Sequence, residues 1–362
     1  MLRSIKRSDR PRKKRKYRTS LLLILGSALL PAAVWNVSYQ FQFTETPPLP
    51  SPCSSAHAAV IGLAAGYDLT VLRRFVGSLR QTGYCGHIIL GVAPDVTDAV
   101  LEYLQQQHVT IHRLQWTPCD YHYNVETIVC AQPYASLKVR WGRFPLARDW
   151  LRGCPECTGP VLVTDVRDVV FQRDPFDGLV IEALQLFAEH PYQTTLHKLV
   201  KKPIRRCKHR KLKEPMLCSG TTVGTREAIL TYLEVMYQEL LVWASQEDCR
   251  LINREGGDQA VHNYIYYTGK LPSSTQVIPF RSSGVVNTVA VWGKLLEEQL
   301  RNNNETIQWD EMWKYNVTDR QGYFLESDGS RSRTVHQFDR FHWAGYNVWL
   351  QEHLGRDLDE RY

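Results

Sequence analysis

The sequence predicts an α/β fold in which one transmembrane helix precedes a mainly parallel sheet with helices on both faces. Two features predict the sheet and its helices: short apolar runs alternate with segments of helical periodicity, and 43% of the 362 residues are hydrophobic. A third feature predicts the membrane helix, since the apolar stretch 19–44 contains no charged residue. The same composition excludes a disordered chain and a collagen-like repeat.

The N-terminal region is strongly basic. Residues 1–18 contain ten Lys or Arg and one Asp, whereas the rest of the chain has 34 basic and 36 acidic residues. We interpret 1–18 as a cytosolic tail and 19–41 as a transmembrane signal-anchor, because flanking positive charges remain on the cytosolic side. A cleaved signal peptide is the alternative. The slightly acidic remainder argues against a nucleic-acid partner.

The residues after the apolar segment have the features of a lumenal domain. Residues 42–54 form a Pro-rich stem, and 55–362 are long enough for one large domain. All nine Cys come after the apolar segment, as expected in an oxidising compartment, and allow four disulfides with one free thiol. For the segment Cys154–Cys157, either a local disulfide or separate disulfide partners are favoured over zinc. Sequons at Asn304 and Asn316 also favour a lumenal location.

Strand and helix patterns alternate along the first half of this domain. The carboxyl ends of parallel strands form the ligand-binding edge of a sheet, so the chemistry is expected after residues 63, 92 and 164. A run of nine Lys or Arg in 197–213 is interpreted as a solvated loop, the alternatives being closure over a diphosphate or attraction of an acidic glycan. The predicted strands are Ala58–Leu63, His87–Val92, Val109–Leu114 and Val161–Thr164, and the predicted helices are Leu69–Leu79, Thr97–Gln107, Gln132–Leu151 and Thr225–Trp243.

Two carboxylates come directly after the predicted strand 161–164. Asp165 and Asp168 can meet one hard divalent cation there, leaving its other positions to water and phosphate oxygens. Because this pair ends a strand, it is the predicted metal site. The same spacing occurs twice more, where we interpret it as a helix start and a turn, at Asp95/Asp98 and Asp174/Asp177.

Four segments resemble, in this order, the motifs of one enzyme family. Thr164–Phe176 (TDVRDVVFQRDPF) resembles the metal-binding signature of nucleotide-diphospho-sugar glycosyltransferases with the GT-A fold, a Rossmann-like sheet between helices. Cys218–Thr225 resembles their acceptor-side strand, Gly257–Asn263 their Gly-Asp-Gln helix, and Val335–Arg340 their late His segment. The chain departs from the family in its Asp-x-x-Asp spacing and in Cys218, where Asn is frequent. No subfamily is assigned.

The resemblance implies a metal-dependent transfer of a hexose or pentose from a nucleotide-sugar donor to a glycan or glycoprotein acceptor, with a UDP-sugar favoured. It implies a type II Golgi membrane enzyme, held in the membrane by the N-terminal helix, with its catalytic domain in the lumen. The implied cofactor is Mn²⁺ or Mg²⁺. A catalytically inactive lumenal glycan-binding or scaffold relative is the alternative.

The site residues implied by the resemblance fall into three groups. Asp258 is the catalytic candidate on the acceptor side. Its alternative role, compatible with the first, is to place a negative charge at the N-terminus of a helix, where the helix dipole favours it. Asp165, Asp168 and His336 are the metal ligands; Asp168 also serves catalysis and Asp165 also contacts the donor. The remaining donor-binding candidates have ordinary packing or a solvated helix face as alternatives. They are Tyr67 and Asp68 for the nucleoside, and Arg140 and Arg143 for the phosphates. Arg167 lies between the two aspartates in sequence, where it is either poised at the site or a structural partner of the carboxylates.

Overall fold

The structure, a computed structural model, describes residues 54–120, 129–250, 257–282 and 284–359. All of them fall within the unit 46–362. No helix formed by these residues is both long and apolar enough to cross a membrane. The predicted tail 1–18, the predicted anchor 19–41 and nearly all of the stem 42–54 lie outside the described residues, so these assignments stay predictions.

Seven of the strands in the described residues form a central sheet. The strands are β1 Ala59–Leu63, β2 His87–Val92, β3 Val109–Arg113, β4 Trp116–Thr117, β5 Cys130–Ala131, β6 Val161–Thr164, β7 Val169–Phe171, β8 Gln185–Ala188, β9 Leu217–Gly224, β10 Gln276–Ile278, β11 Val286–Thr288 and β12 Thr334–His336. The central order is β10-β8-β9-β6-β1-β2-β3. Its pairings are parallel except those of β9, which is antiparallel to both neighbours. The predicted α/β class with a mainly parallel sheet is confirmed.

Helices cover both faces of this sheet. They are α1 Leu69–Leu72, continued through the π-helical segment Arg73–Gly77 into α2 Ser78–Gln81, then α3 Asp98–Gln106, α4 Val139–Arg152, α5 Lys198–Lys208, α6 Arg226–Ser245, α7 Glu247–Arg250, α8 Gly257–Tyr267, α9 Ala290–Asn302 and α10 Tyr346–Asp359, with 3₁₀ segments at Trp309–Tyr315 and Phe338–Ala344. Ile61 of β1 packs in one core with α4, α5, α6 and α8, whereas Val60 packs in another with α1, α2 and α3. This alternation is the two-residue period of a strand buried on both faces.

A second sheet has the order β11-β12-β7 and its own aromatic core. Trp309 and Phe341 lie 5.7 Å apart between ring centroids, and Phe324 lies 5.0 Å from Trp309. In this sheet β12 runs antiparallel to β7, with His336 opposite Val169. The sheet positions the site because β7 begins one residue after Asp168.

The helical pattern in 132–151 starts later than predicted. The helix α4 begins only at Val139, and the residues before it form turns. Pro133 has no backbone N–H to donate to a helix. The Tyr134 N–H donates to the Ala131 carbonyl at 2.8 Å, which is the hydrogen bond of a turn. The prediction was therefore wrong for the segment before Val139 and right for the rest.

The solvated loop predicted for 197–213 is wrong over Lys198–Lys208, which form α5. Val200, Ile204 and Cys207 are buried on one side of this helix. Their spacing places them on a single helix face, which packs into the core, while the cations between them remain outside. This helix was not predicted from the sequence because the many Lys and Arg residues obscured the apolar positions between them.

The described cysteines support the predicted oxidised state. Disulfides join Cys119 to Cys130, Cys154 to Cys157, and Cys207 to Cys249, and Cys85 is also disulfide-bonded. Because the sulfurs of Cys154 and Cys157 are bonded to each other, the local disulfide is favoured over zinc. The buried Cys218 has a free thiol.

Candidate metal centre

Three strand ends bring Asp165, Asp168 and His336 together. Asp165 comes directly after β6, and its N–H donates to the Gly220 carbonyl of β9 at 2.7 Å. Asp168 immediately precedes β7, and His336 ends β12, opposite Val169. The pairing of β6 with β9 and of β7 with β12 therefore places three residues from distant parts of the chain at one point.

The three side chains form a compact cluster. The imidazole Nε2 of His336 lies 3.6 Å from Asp165 Oδ2 and 3.8 Å from Asp168 Oδ1. One ligand atom from each residue lies within 4.8 Å of the other two. His336 is fully buried, whereas the Asp165 side chain is 36% exposed. The predicted ligands thus meet, and solvent reaches them from the side of Asp165.

His336 lies at a distance from each carboxylate that suits a shared divalent ion, and Gly220 leaves space beside the cluster. Two ligand atoms of one ion at about 2.1 Å lie at most ~4.2 Å apart, and both distances from His336 Nε2 meet this limit. In the described structure this Nε2 is buried without a hydrogen-bond partner, while Nδ1 contacts the Cys218 sulfur at 3.4 Å. A Cβ at Gly220 would lie 2.6 Å from Asp165 Oδ2 and 2.8 Å from His336 Nε2. These residues fit a hard cation such as Mn²⁺ or Mg²⁺.

The charges in the cluster depend strongly on one another. Burial raises the pKa of Asp165, but the Arg143 guanidinium and His336 outweigh it, so that this pKa lies well below its usual range. Burial raises the pKa of Asp168. Burial lowers the pKa of His336, yet Cys218 and the two carboxylates raise it well above its ordinary value. A metal ion would therefore have to displace a proton from His336.

Arg143 connects the metal centre to the acceptor-side candidate. Its Nη1 donates to Asp165 Oδ1, and its Nη2 donates to Asp258 Oδ2 at 2.9 Å and to the Ser219 carbonyl at 3.1 Å. The neighbouring carboxylates raise its pKa despite burial, so the guanidinium stays charged. The structure brings Arg143 to the site, and the phosphate contact predicted for it stays a prediction.

Asp258 lies in the first turn of α8, beside a buried lysine. Burial lowers the pKa of Lys138 to about 7, with Asp258 raising it and Arg140 lowering it. Lys138 precedes α4, and Arg140 is exposed in the first turn of that helix. Gly257 allows α8 to start close to Trp141, since a Cβ there would lie 3.0 Å from the indole ring. Asp258 can therefore stabilise the N-terminus of α8 and at the same time face the site.

The two nucleoside candidates have different surroundings. Burial raises the pKa of Tyr67, and the charge of Asp165 raises it further, so this half-buried phenol lies near the metal centre. Asp68 is exposed, and its Oδ1 accepts from the Val71 N–H at 3.0 Å, which caps α1. Tyr67 is placed with the site, whereas Asp68 has a clear structural role and its donor contact stays a prediction.

Several further residues surround the cluster, and among them the sequence indicated only Arg167, as a possible partner of the carboxylates. Arg167 pairs with Asp168 at 3.2 Å and with Asp339 at 3.4 Å, and its carbonyl accepts from Arg74 at 2.7 Å. The buried Glu189 interacts with Cys218 and accepts from Gln259 at 3.1 Å. Asp339 lies inside the late His segment, which was a signal that could have found it. Arg74 and Glu189 have no such motif around them.

Comparisons with known proteins find similarity to solved structures. No protein-family model matches the chain, and no curated protein matches it by sequence. A similar solved structure is the glycosyltransferase GlyE of Streptococcus pneumoniae TIGR4, with a TM-score of 0.41 and 14% sequence identity. The match covers 84% of this chain and 64% of that one, so this chain spans less than two thirds of the GlyE structure.

Proposed function

We propose that this chain is a metal-dependent glycosyltransferase, which moves a sugar from a nucleotide-sugar donor, a UDP-sugar by preference, to a glycan or glycoprotein. One observation carries the proposal: Asp165, Asp168 and His336 converge beyond β6, and Arg143 joins this cluster to a second carboxylate, Asp258. Sugar transfer needs both parts. The leaving diphosphate requires positive charge, and the acceptor hydroxyl must lose a proton.

The metal side of the site serves the leaving group. A divalent cation, when bound, supplies positive charge to the departing nucleoside diphosphate. Asp165, Asp168 and His336 would hold this cation, and Gly220 leaves space for it. Tyr67 lies near the two carboxylates, where its ring stacks on the nucleobase.

The other donor contacts lie at the starts of two helices. Asp68 precedes α1, where its carboxylate accepts from the base or the ribose. Arg140 and Arg143 on α4 contact the phosphates, and Arg140 is exposed at the first turn of this helix. The exposed position of Arg140 and the nearness of Arg143 to Asp165 support these assignments.

Asp258 serves the acceptor. In an inverting reaction its carboxylate takes the proton of the attacking hydroxyl, and in a retaining reaction it orients the substrate. The bond from Arg143 Nη2 holds the carboxylate in one orientation. The same guanidinium binds Asp165, so the two halves of the site share one positioning group.

The proposed location is the Golgi lumen. The basic tail 1–18 and the uncharged stretch 19–44 support a type II anchor, and a short membrane span is typical of the early secretory pathway. The three described disulfides support an oxidising compartment.

Hydrolysis of a panel of nucleotide sugars by the purified full chain, with Mn²⁺ or with chelator, tests the proposed activity. We expect slow hydrolysis of one donor class, strict dependence on the metal, and a faster reaction when a suitable acceptor is added. Asp95→Ala, an exposed member of another Asp-x-x-Asp pair, is the matched control for Asp168→Ala and should behave as wild type. Binding of glycans without hydrolysis of any donor would favour the inactive glycan-binding alternative.

A further inference from the structure

Residues 189–216 form a basic excursion that leaves the central sheet beside the metal centre. The excursion begins after Ala188 of β8 pairs with Leu217 of β9, and its base is closed by a bond of 2.8 Å from the Glu189 N–H to the Met216 carbonyl. Cys218, two residues past that bond, contacts His336 at 3.4 Å. A molecule bound along this excursion would therefore lie close to the site.

The excursion concentrates positive charge in an otherwise acidic domain. The run 197–213 has nine Lys or Arg and no acid, whereas the chain outside this run and outside 1–18 has 25 basic and 36 acidic residues. Lys208 is neutralised by Glu239 at 2.6 Å. Seven other cations are exposed. Arg206 interacts with another residue, and the remaining six pair with no carboxylate among the residues that the structure describes. These six, which we name the basic surface, are Lys198, Lys202, Arg205, Arg210, Lys211 and Lys213.

The helix that carries much of the basic surface is fixed in place. Val200 and Ile204 of α5 are buried in the core shared with α8, whose first turn carries Asp258. The disulfide between Cys207 and Cys249 joins α5 to α7. The three cations of the basic surface that lie on α5 are thus held next to the helix of the acceptor-side carboxylate.

The apolar side of α5 is already occupied by protein. A helix that lies on a membrane inserts a free apolar face between lipids, and α5 has none because Val200, Ile204 and Cys207 face the core. Next to the helix, Tyr192 is 80% exposed and offers an aromatic ring on which a sugar can stack. Several exposed cations and an exposed aromatic ring on the same excursion suit a ligand with repeated negative charges on sugar units.

We propose that the basic surface binds an acidic polysaccharide, whose charge is carboxylate or sulfate, and that this polysaccharide is the acceptor class. The acceptor assignment rests on the proposed glycosyltransferase function, whereas binding itself does not. Lys and Arg recognise both anionic groups, Arg with two parallel hydrogen bonds. The surface holds the anionic chain so that its end reaches Asp258.

Binding of the full chain to polygalacturonic acid, heparin, uncharged dextran and phosphatidylserine vesicles tests this proposal. We expect the chain to bind polygalacturonic acid or heparin, and the ratio of the two affinities shows whether carboxylate or sulfate is preferred. Both affinities should decrease as the salt concentration increases. Reversal of four charges should weaken binding at least about 10-fold and leave donor hydrolysis unchanged. The variant combines Lys198→Glu, Lys202→Glu, Arg205→Glu and Arg210→Glu.

A matched control reverses four exposed charges outside the basic surface, and it should bind the polysaccharide as wild type does. A milder variant, in which the same four residues of the basic surface are replaced by Gln, guards against misfolding and should still bind more weakly. Equal affinity for dextran, unchanged binding by the Glu and Gln variants, or preferential binding to the vesicles would overturn the proposal. Polysaccharide binding without hydrolysis of any donor would refute the proposed activity and leave the binding surface established. The control combines Arg113→Glu, Arg173→Glu, Arg301→Glu and Arg320→Glu, all at exposed positions.

Discussion

His336 is a buried imidazole between two carboxylates, and its protonation competes with metal binding. The pKa of His336 in the metal-free protein is raised well above its ordinary value, so the proton must leave before Nε2 can bind an ion. The concentration of Mn²⁺ for half-maximal donor hydrolysis should therefore fall as pH rises, until the pH exceeds the raised pKa of His336. His336→Ala should raise this concentration about 10-fold or more and reduce its pH dependence.

The control for this prediction is His342, which is exposed and lies on the same late segment. His342→Ala should leave both the Mn²⁺ requirement and its pH dependence as in wild type. If His336→Ala leaves the metal requirement untouched, the imidazole is only a packing residue and the third ligand lies elsewhere.

Gly220 keeps the metal centre open. A methyl group at this position would lie 2.5 Å from His336 Cε1 and 2.6 Å from Asp165 Oδ2, closer than nonbonded atoms approach. Gly220→Ala should weaken Mn²⁺ binding about 10-fold or more, measured by titration calorimetry. At Gly153 the added methyl meets only ordinary contacts of 3.5 Å, so Gly153→Ala should bind Mn²⁺ as wild type. Normal binding by the Gly220 variant would show that the ion does not occupy this space.

At single residues, the sequence predicted the side chains that lie directly after a strand and missed the contacts made across the fold. Asp165 and Asp168 could be found because they come after an apolar strand, and His336 because a short strand carries it. The bond between Arg143 and Asp258 joins positions 115 apart in sequence, and no local pattern indicates such an approach. Arg143 was therefore predicted to contact the phosphates, whereas its ion pairs with Asp165 and Asp258 were not predicted.

At the scale of elements, α6 provides a test that separates stability from chemistry. Leu240 is fully buried in this helix, whereas Val242 is 43% exposed on it. Leu240→Ala should lower the free energy of unfolding by about 2–5 kcal/mol, because it leaves a cavity in the core. Val242→Ala should change it by less than about 0.5 kcal/mol. Denaturant unfolding checks both, and a change in the Mn²⁺ requirement of the folded Leu240 variant would contradict a purely structural role.

Elements were predicted well where one periodicity dominates. The strands Val161–Thr164 and His87–Val92 have the predicted bounds, and α6 buries the apolar face expected from its spacing. The helix α5 was missed because its many charges concealed the three apolar positions that face the core. The pairing of β12 with β7 could not be predicted, because the pairing of strands far apart in sequence depends on the packing of the whole core.

At the scale of the whole molecule, the charge asymmetry of the N-terminal region predicts the membrane orientation. Asn304 and Asn316 are exposed in the described domain, so a lumenal domain should be glycosylated at both. In cells, Asn304→Gln and Asn316→Gln should each increase electrophoretic mobility, and glycosidase should abolish the differences. Identical mobility of wild type and both variants, with or without glycosidase, would contradict lumenal exposure.

The central claim is that Asp165, Asp168 and His336 hold one divalent ion that serves the leaving diphosphate. Calorimetric titration of the full chain with Mn²⁺ in the presence of UDP measures this most directly. We predict one ion per chain for wild type and for the control Asp95→Ala, and binding at least about 10-fold weaker for Asp165→Ala and for Asp168→Ala, each of which should still unfold cooperatively on heating. Wild-type affinity in both variants would contradict the account.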